Sequence, residues 1–210
     1  MTKQEPFDKF TQQYEDWFDI NKFAYKSEIK AVRSLLPVKG KGIEIGVGSG
    51  RFATPLKIKF GIEPSVEMSK IARQRGVEVM TGVAEKLPLS KSQFNYVLMV
   101  TTVCFLDDMD KSFKEVHRIL KPGGSFVVGF IDRESPVGKM YQRYKNESVF
   151  YKIAKFYSVA EVVEHLSIAG FGNFSFVQTI FHNLDEIKEI EPVREGYGEG
   201  SFVVIKAIKA

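Results

Sequence analysis

Short apolar runs alternate along the chain with longer segments whose apolar residues recur every three or four positions. The runs predict seven strands, at about 42–46, 59–63, 77–80, 96–100, 125–131, 173–181 and 201–205. The longer segments predict helices at about 65–75, 111–121 and 159–169, with a short helix from Gly50 that carries Pro55. Strands that alternate with helices are typical of a parallel, doubly wound α/β sheet. Ligands of such a sheet bind at the carboxyl ends of its strands.

Polar residues mark the boundaries of two of these helices. Asp110 precedes the helix 111–121 and Ser158 precedes the helix 159–169, and both residue types are favoured as N-caps. The sequence Lys-Pro-Gly-Gly at 121–124 stops the first of these helices, because proline and glycine disfavour its continuation.

The first 36 residues have a helical pattern of apolar positions and many aromatic side chains. Apolar residues keep helical spacing up to Leu36, and Pro37 ends the second of two predicted helices. The aromatic residues are Tyr14, Trp17, Phe18, Phe23 and Tyr25. Their simplest role is packing between helices.

Residues 132–158 interrupt the alternation of strands and helices. Aromatic and basic residues are interleaved in this segment: Lys139, Tyr141, Arg143, Tyr144, Lys145, Phe150, Tyr151, Lys152, Lys155, Phe156 and Tyr157. We predict that the segment is an insertion that forms a lid over a substrate pocket with aromatic walls.

The composition indicates one globular domain over residues 1–210. The hydrophobic fraction is 44%, and the net charge of +4 is too mild to indicate a nucleic-acid partner. No apolar run is long enough to span a bilayer, and the N-terminus has no apolar signal core. Cys104 is the single cysteine, which excludes an intrachain disulfide. We therefore expect a cytoplasmic protein without a membrane partner.

The first strand leads into three glycines at every second position, Gly46, Gly48 and Gly50. Glycine permits a tight turn and lets a ligand approach the backbone closely. An acidic residue, Glu44, lies two positions before the first glycine. A dinucleotide-binding fingerprint would place its last glycine at position 51, but this residue is Arg51, which disfavours a nicotinamide oxidoreductase.

A second acid follows the next strand. Glu63 lies at the end of the strand 59–63, about twenty residues after Glu44. In doubly wound folds an acid at this position accepts hydrogen bonds from ribose hydroxyls. The two acids and the glycines between them predict a site for a nucleotide-like ligand.

These motifs resemble the class I S-adenosylmethionine-dependent methyltransferases, and more narrowly their ubiquinone/menaquinone-type branch. The similar stretches are Glu44-x-Gly46-x-Gly48-x-Gly50, 61–65 with Met68, 82–88, 94–97, 118–124 and 169–171. The resemblance implies a Rossmann-like, doubly wound, mostly parallel sheet of seven strands with an antiparallel last strand. It also implies a helical cap, residues 1–37, over the cofactor.

By this resemblance, the cofactor is S-adenosyl-L-methionine and ten residues bind it. The glycine loop would shape the pocket for the methionine and ribose, Glu44 would favour the α-ammonium group, and Glu63 would hold the ribose hydroxyls. Adenine would lie between Pro64 and Met68 on one side and Ala84 and Glu85 on the other. The full set is Glu44, Gly46, Gly48, Gly50, Glu63, Pro64, Met68, Ala84, Glu85 and Thr101.

One position departs from the family pattern. The residue before Ala84 is often an aspartate that accepts a hydrogen bond from the adenine amine, but here it is Val83. Either Glu85 or backbone carbonyls replace the aspartate, or adenine recognition is looser.

No general base can be assigned, and we expect no metal site. His182, at the end of the sixth strand, is the histidine nearest to a plausible substrate face, whereas His117 and His165 have helical, structural settings. Asp107, Asp108 and Asp110 are interpreted as helix-capping residues, because no second acidic cluster accompanies them.

The sequence thus predicts an enzyme that transfers a methyl group from S-adenosylmethionine to a small molecule by in-line displacement. Two alternatives stay open: an RNA or DNA methyltransferase, and a non-catalytic module that binds the cofactor. The interleaved aromatic and basic residues at 139–157 suit base stacking and phosphate contact. The methyl acceptor and the oligomeric state cannot be predicted.

Overall fold

The computed structural model describes residues 3–210 and has the predicted doubly wound α/β fold. Its helices are α1 Glu5–Lys9, α2 Thr11–Ile20, α3 Lys22–Leu35, α4 Val66–Gln74, α5 Met109–Ile119, α6 Pro136–Arg143 and α7 Val159–Ile168. Its strands are β1 Gly42–Ile45, β2 Phe60–Ile62, β3 Glu78–Met80, β4 Phe94–Val100, β5 Leu120–Ile131, β6 Phe171–Thr179, β7 Arg194–Glu195 and β8 Phe202–Lys209. None of the helices in this range combines the length and the apolar character that crossing a bilayer requires.

The strands form one mixed sheet in the order β3-β2-β1-β4-β5-β8-β6-β7. The strands β1 to β5 pair with one another in parallel, whereas β8 is antiparallel to both β5 and β6. The antiparallel last strand is therefore confirmed. β7 is an additional eighth strand that the sequence did not predict, because two exposed residues are too few to show a periodic pattern.

Helices cover both faces of the sheet and create two apolar cores. In β4, Val97 and Met99 belong to the core that contains α5 and α7, and Leu98 and Val100 belong to the core that contains α3. A strand buried on both faces is expected to be apolar at almost every position, and 96–100 has this character. The strand order changes direction beside β1, because β2 and β3 lie on one side of it and β4 and β5 on the other. The ligand site of a doubly wound sheet lies at this switch point.

The predicted helix from Gly50 is wrong. Residues 50–57 form a series of turns, and Gly50 and Lys57 both have positive φ angles, of 83° and 60°. Neither angle is compatible with an α-helix. Pro55 lacks the N–H that a helix interior would use, so the segment closes with irregular bonds such as Ile58 N to Ala53 O, at 2.9 Å.

Two further helix boundaries differ from the prediction. Asp108, not Asp110, is the N-cap of α5: its backbone is extended, and its Oδ1 accepts a hydrogen bond from Lys111 N at 2.9 Å. Asp110 lies within the first turn and contacts His165 Nδ1 at 2.6 Å. The N-terminal region, of which residues 1 and 2 lie outside the described residues, has three helices rather than two.

Helix α3 buries an acidic residue, Glu28, in this N-terminal region. Its side chain is 3% exposed, and its carboxylate accepts no hydrogen bond from any described residue. Burial alone raises the pKa of Glu28 from its usual value of 4.5 to about 8.

We expect the free energy of unfolding to fall as the pH rises from 5 to 8. The unfolded chain releases the Glu28 proton near pH 4.5 and the folded chain releases it near pH 8. The stabilisation that comes from this difference in proton affinity is therefore complete below pH 4.5 and lost by pH 8. One such group changes stability by at most about 1.4 kcal/mol per pH unit. Urea unfolding of wild type and Glu28→Gln at several pH values measures the effect, with the exposed Glu164→Gln as control. Parallel pH curves for wild type and Glu28→Gln would contradict the prediction.

Candidate active site

A cleft of about 330 Å³ opens at the carboxyl ends of β1, β2 and β4. This volume lies within the range of small-molecule sites in proteins. Eight of the ten predicted cofactor residues line it: Gly46, Gly48, Glu63, Pro64, Met68, Ala84, Glu85 and Thr101. The sequence motifs thus converge on one cavity, although they are spread over more than fifty residues.

The glycine loop after β1 is held against β2 by its backbone. The N–H groups of Gly46 and Val47 both donate to Ile62 O, at 2.9 and 3.0 Å. Gly46 and Gly48 have positive φ angles, of 71° and 53°, which favour glycine. Gly50 does not line the cleft, because it faces Ala72 of α4.

The carboxylate of Glu63 joins the glycine loop to the start of α4. Its Oε2 accepts a hydrogen bond from Gly48 N at 2.7 Å, and its Oε1 accepts one from Ser65 N at 2.9 Å. Burial raises the pKa of Glu63 to about 7, although both hydrogen bonds favour the ionised form. The negative charge of nearby Asp8 raises this pKa further.

Glu44 lies in β1 and does not line the cleft. Its side chain is 1% exposed, and Oε2 has no hydrogen-bond partner among the described residues. Burial raises the pKa of Glu44 well above its usual range, and the charge of Glu63 acts in the same direction. A buried carboxylate with an unpaired oxygen is costly when ionised, which is why burial favours the protonated form of Glu44.

The remaining predicted residues line other parts of the cleft. Met68 is almost fully buried, and Val83 lies beside Ala84 in the lining, with an exposed side chain. The Oε1 of Glu85 already accepts a hydrogen bond from Asp107 N at 2.8 Å. If Glu85 replaces the aspartate missing at Val83, its second carboxylate oxygen, Oε2, is the atom that can accept a hydrogen bond from the adenine amine.

The N-terminal helices supply a wall that the sequence motifs did not reveal. Phe7 of α1 and Tyr14 of α2 line the cleft, and a Cβ placed on Gly48 would lie 3.3 Å from the Tyr14 hydroxyl oxygen. Burial raises the pKa of Tyr14 above its usual value, so this phenol stays protonated. Its aromatic neighbours along the helix were visible in the sequence, but their spacing also fits ordinary packing.

Acidic residues of α1 and α2 form hydrogen bonds and ion pairs with residues near the edges of the cleft. Asp8 Oδ1 accepts a hydrogen bond from Ser65 Oγ at 2.6 Å, at the start of α4. Glu15 of α2 forms ion pairs with Arg51, at 2.7 Å, and with Arg75. Charged contacts therefore hold α1 at the start of α4, and α2 at Arg51 and Arg75.

No histidine enters the cleft. His182 is largely exposed and bonds to Glu191, which raises its pKa. His165 contacts Asp110, and His117 packs edge-on against Phe171. Within residues 3–210, no three His, Cys, Asp or Glu side chains lie close enough to hold a metal ion.

Comparisons with known proteins identify the family. A sequence profile described as "Methyltransferase domain" matches residues 43–128. The crystal structure of a SAM-dependent methyltransferase from Thermotoga maritima, described as a possible histamine N-methyltransferase, matches with a TM-score of 0.96 and 54% identity. The match covers 98% of this chain and 99% of that one. The chain belongs to the S-adenosylmethionine-dependent methyltransferases.

Two curated relatives extend this methyltransferase comparison. An uncharacterized protein of Methanocaldococcus jannaschii is 47% identical over 203 residues, which cover 97% of this chain and 98% of that protein. A demethylmenaquinone methyltransferase of Chlorobaculum tepidum is 33% identical over 127 residues, covering 56% of this chain and 52% of that protein. The similarity to quinone methyltransferases is thus confined to about half of the chain.

The residues present in the cleft fit S-adenosylmethionine, the cofactor of this methyltransferase family. Gly46 and Gly48 bring bare backbone to the cleft, and a Cβ there would lie 2.5 Å from Thr102 or 3.3 Å from the Tyr14 hydroxyl, both of which line it. The buried Glu63 lines the cleft, and its carboxylate complements the ribose hydroxyls of this molecule. The cofactor supplies a methyl group on a positively charged sulfur that leaves as a neutral thioether. Such a reaction needs positioning and exclusion of water more than acid–base groups.

We expect Gly46→Ala to lose affinity for S-adenosylhomocysteine by at least tenfold. The new Cβ would lie 2.5 Å from the side chain of Thr102, so the loop or Thr102 must move. Gly123→Ala is a matched control, because Gly123 has nearly the same φ angle, 69°, but no atom within 4 Å of its Cβ position.

Calorimetric titration measures the affinity, and thermal unfolding separates it from the backbone strain that both variants share. Adding Thr102→Ala to Gly46→Ala should recover part of the affinity. Equal affinities for Gly46→Ala and Gly123→Ala would disprove the steric role of this glycine.

Proposed function

We propose that the protein transfers a methyl group from S-adenosylmethionine to a small-molecule acceptor. The observation that carries this proposal is the closure of the cleft by aromatic side chains from two separate segments. Phe150, in the insertion 132–158, contacts Phe7 and Tyr14 of the N-terminal helices with ring centroids 5.2 and 6.1 Å apart. A cleft covered in this way suits a molecule small enough to be enclosed.

The cofactor-binding roles follow from the geometry of the cleft. We infer that Glu63 accepts hydrogen bonds from the ribose hydroxyls, and that the backbone at Gly46 and Gly48 holds the methionine portion. Glu44 acts on the ammonium group through the loop above it. Adenine is held between two sets of side chains: Pro64 and Met68 on one side, and Ala84 and Glu85 on the other.

The acceptor approaches from the side of Thr101 and Thr102. These residues follow β4 and line the cleft together with Phe105. Thr101 has a positive φ angle of 49°, an uncommon conformation for a residue with a branched side chain, and strained residues cluster at functional sites. This end of the cleft meets the insertion, because Lys155 N donates to Cys104 O at 2.8 Å.

The aromatic residues of the insertion favour a small acceptor over a nucleic acid. Phe156 and Tyr157 are 8% and 7% exposed, and Tyr151 packs against Tyr141 with ring centroids 4.5 Å apart. Side chains that stack on nucleic-acid bases need exposed ring faces, which Phe156 and Tyr157 lack. Among the basic residues, Lys145 bonds to Ala154 O rather than pointing freely into solvent.

Relatives point to two chemical classes of acceptor. The Thermotoga protein is described as a possible histamine N-methyltransferase and matches along almost the entire chain. The Chlorobaculum demethylmenaquinone methyltransferase matches only about half. The amine class therefore has the broader support, and the ubiquinone/menaquinone branch has the narrower.

Label transfer from methyl-labelled S-adenosylmethionine tests the proposed function. The protein is incubated with separate small-molecule, RNA and protein fractions of a cell extract, with Glu63→Ala as the variant of reduced cofactor affinity. We expect label in the small-molecule fraction only. Label in RNA or protein would contradict a small acceptor, and cofactor binding without transfer to any fraction would support the non-catalytic alternative.

We expect the affinity for S-adenosylhomocysteine to fall about tenfold as the pH drops from 8 to 6. Below its pKa of about 7 the Glu63 carboxyl is protonated and accepts the ribose hydroxyls less well. A hydrogen bond to a charged group contributes about 1.5–3 kcal/mol, enough for a change of this size. Titrations of wild type and Glu63→Gln at pH 6, 7 and 8 measure it, and the variant should show a weaker affinity with a flatter pH profile. A wild-type affinity that stays constant over this range would exclude the assigned role.

A further inference from the structure

The glycine loop after β1 uses its own N–H groups within the protein. Gly46 N and Val47 N donate to Ile62 O at 2.9 and 3.0 Å, and Gly48 N donates to Glu63 Oε2 at 2.7 Å. The methionine portion of the cofactor, which we place at this loop, carries an ammonium and a carboxylate group. Carbonyl oxygens of the loop can accept hydrogen bonds from the ammonium, but a carboxylate needs donors. It therefore needs a donor other than these three N–H groups.

Two further donors that line the cleft also have partners. Thr102 Oγ1 donates to Val100 O at 3.0 Å. The ammonium of Lys3 is paired with the Asp107 carboxylate at 2.8 Å. Asp107 N in turn donates to Glu85 Oε1 at 2.8 Å, on the side of the cleft that we assign to adenine. Both donors are thus committed to other contacts than a carboxylate at the glycine loop.

The hydroxyl of Tyr14 lies directly beside the glycine loop. A Cβ placed on Gly48 would lie 3.3 Å from the Tyr14 hydroxyl oxygen and 3.9 Å from the ring carbon that carries it. The ring packs edge-on against Phe18 with centroids 5.1 Å apart. The next residue, Glu15, forms a 2.7 Å ion pair with Arg51, which follows the loop. Packing and the ion pair therefore fix the position of the phenol.

The Tyr14 hydroxyl is a donor without an acceptor. Among residues 3–210 no hydrogen-bond partner contacts it, although the side chain lines the cleft. Burial raises the pKa of Tyr14, and the negative charges of Glu63 and Glu44 act in the same direction. The phenol therefore keeps its proton and can donate it to an anionic ligand group.

We propose that the Tyr14 hydroxyl donates a hydrogen bond to the carboxylate of S-adenosylmethionine and makes the site selective for ligands that carry this group. Hydrogen bonds to a charged acceptor are stronger than those between neutral groups. A ligand carboxylate enclosed beside the acid Glu63 without a donor would be unfavourable, so its partner matters for affinity. This inference rests on the proposed function, because it uses the position given there for the methionine portion.

Calorimetric titration with two matched ligands tests the proposal. S-adenosylhomocysteine is compared with its decarboxylated analogue, which keeps the adenosine, the thioether and the amine. The titrations are done at pH 8, above the pKa of Glu63 of about 7, so that this acid is ionised for both ligands. We expect wild type to prefer S-adenosylhomocysteine at least tenfold. Tyr14→Phe, which keeps the ring, should lose about tenfold in affinity for S-adenosylhomocysteine and less than about twofold for the analogue.

Tyr25→Phe is the matched control. Tyr25 packs edge-on against the same ring, Phe18, with centroids 5.0 Å apart, but its hydroxyl donates to the backbone oxygen of Arg51. We expect this variant to unfold at a lower temperature and to keep the ligand preference of wild type. Thermal unfolding of Tyr14→Phe without ligand shows whether that variant is folded before the titrations are compared.

Three results would overturn the assignment of Tyr14. They are a wild type that binds the two ligands equally, an unchanged preference in Tyr14→Phe, and an equal loss of affinity for both ligands in Tyr14→Phe. The last result would indicate that Tyr14 acts only by shaping the cleft.

The outcomes separate this inference from the proposed function. If label reaches small molecules but Tyr14→Phe keeps the full preference for the carboxylate, the proposed function stands and the Tyr14 assignment is wrong. If Tyr14→Phe loses the preference but label reaches RNA or protein, the Tyr14 assignment stands and the small-molecule acceptor is wrong.

Discussion

The cleft depends on one carboxylate, that of Glu63. It accepts hydrogen bonds from Gly48 N in the loop after β1 and from Ser65 N at the start of α4. Ser65 in turn donates through its hydroxyl to Asp8, which binds α1 to the same place. Three segments far apart in the sequence are thus joined at a side chain that also lines the cleft. Because the backbone donors are fixed in place, the acid is oriented before any ligand binds.

The charge distribution of the enzyme follows from this arrangement. Glu44 and Glu63 lie at the ends of neighbouring strands, and Glu28 lies in α3; all three are buried, and burial raises their pKa values. Buried acids destabilise the fold unless a cation compensates them. The cofactor of this family carries a sulfonium and an ammonium group. A ligand that binds only the folded state stabilises it, so a cationic ligand offsets part of the cost of the acid that lines the cleft, Glu63.

The sequence predicted the parts of the site that depend on local backbone. Gly46, Gly48 and Glu63 follow strands whose order and direction are set by alternating apolar segments, so their convergence could be inferred. Gly50 belongs to the same motif but packs against α4, because the spacing of glycines does not show which of them faces a ligand. Asp108 and Asp110 are both suitable N-cap residues, so the sequence alone did not show which of them caps α5. In the structure α5 begins at the buried Met109, and Asp108 is the cap.

The long-range contacts of the N-terminal helices could not be predicted from the sequence. Asp8 meets Ser65 and Glu15 meets Arg51 and Arg75, over separations of 36 to 60 residues along the chain. No local pattern encodes such pairs, and each residue taken alone fits a solvated helix face.

The contacts also differ in strength. The α2 pairs are largely buried, whereas the outermost pair, Lys3 with Asp107, has an 80% exposed aspartate and contributes little. Lys3 is therefore held by a weaker ion pair than α2, whose buried ion pairs fix the helix that carries Tyr14 at the cleft.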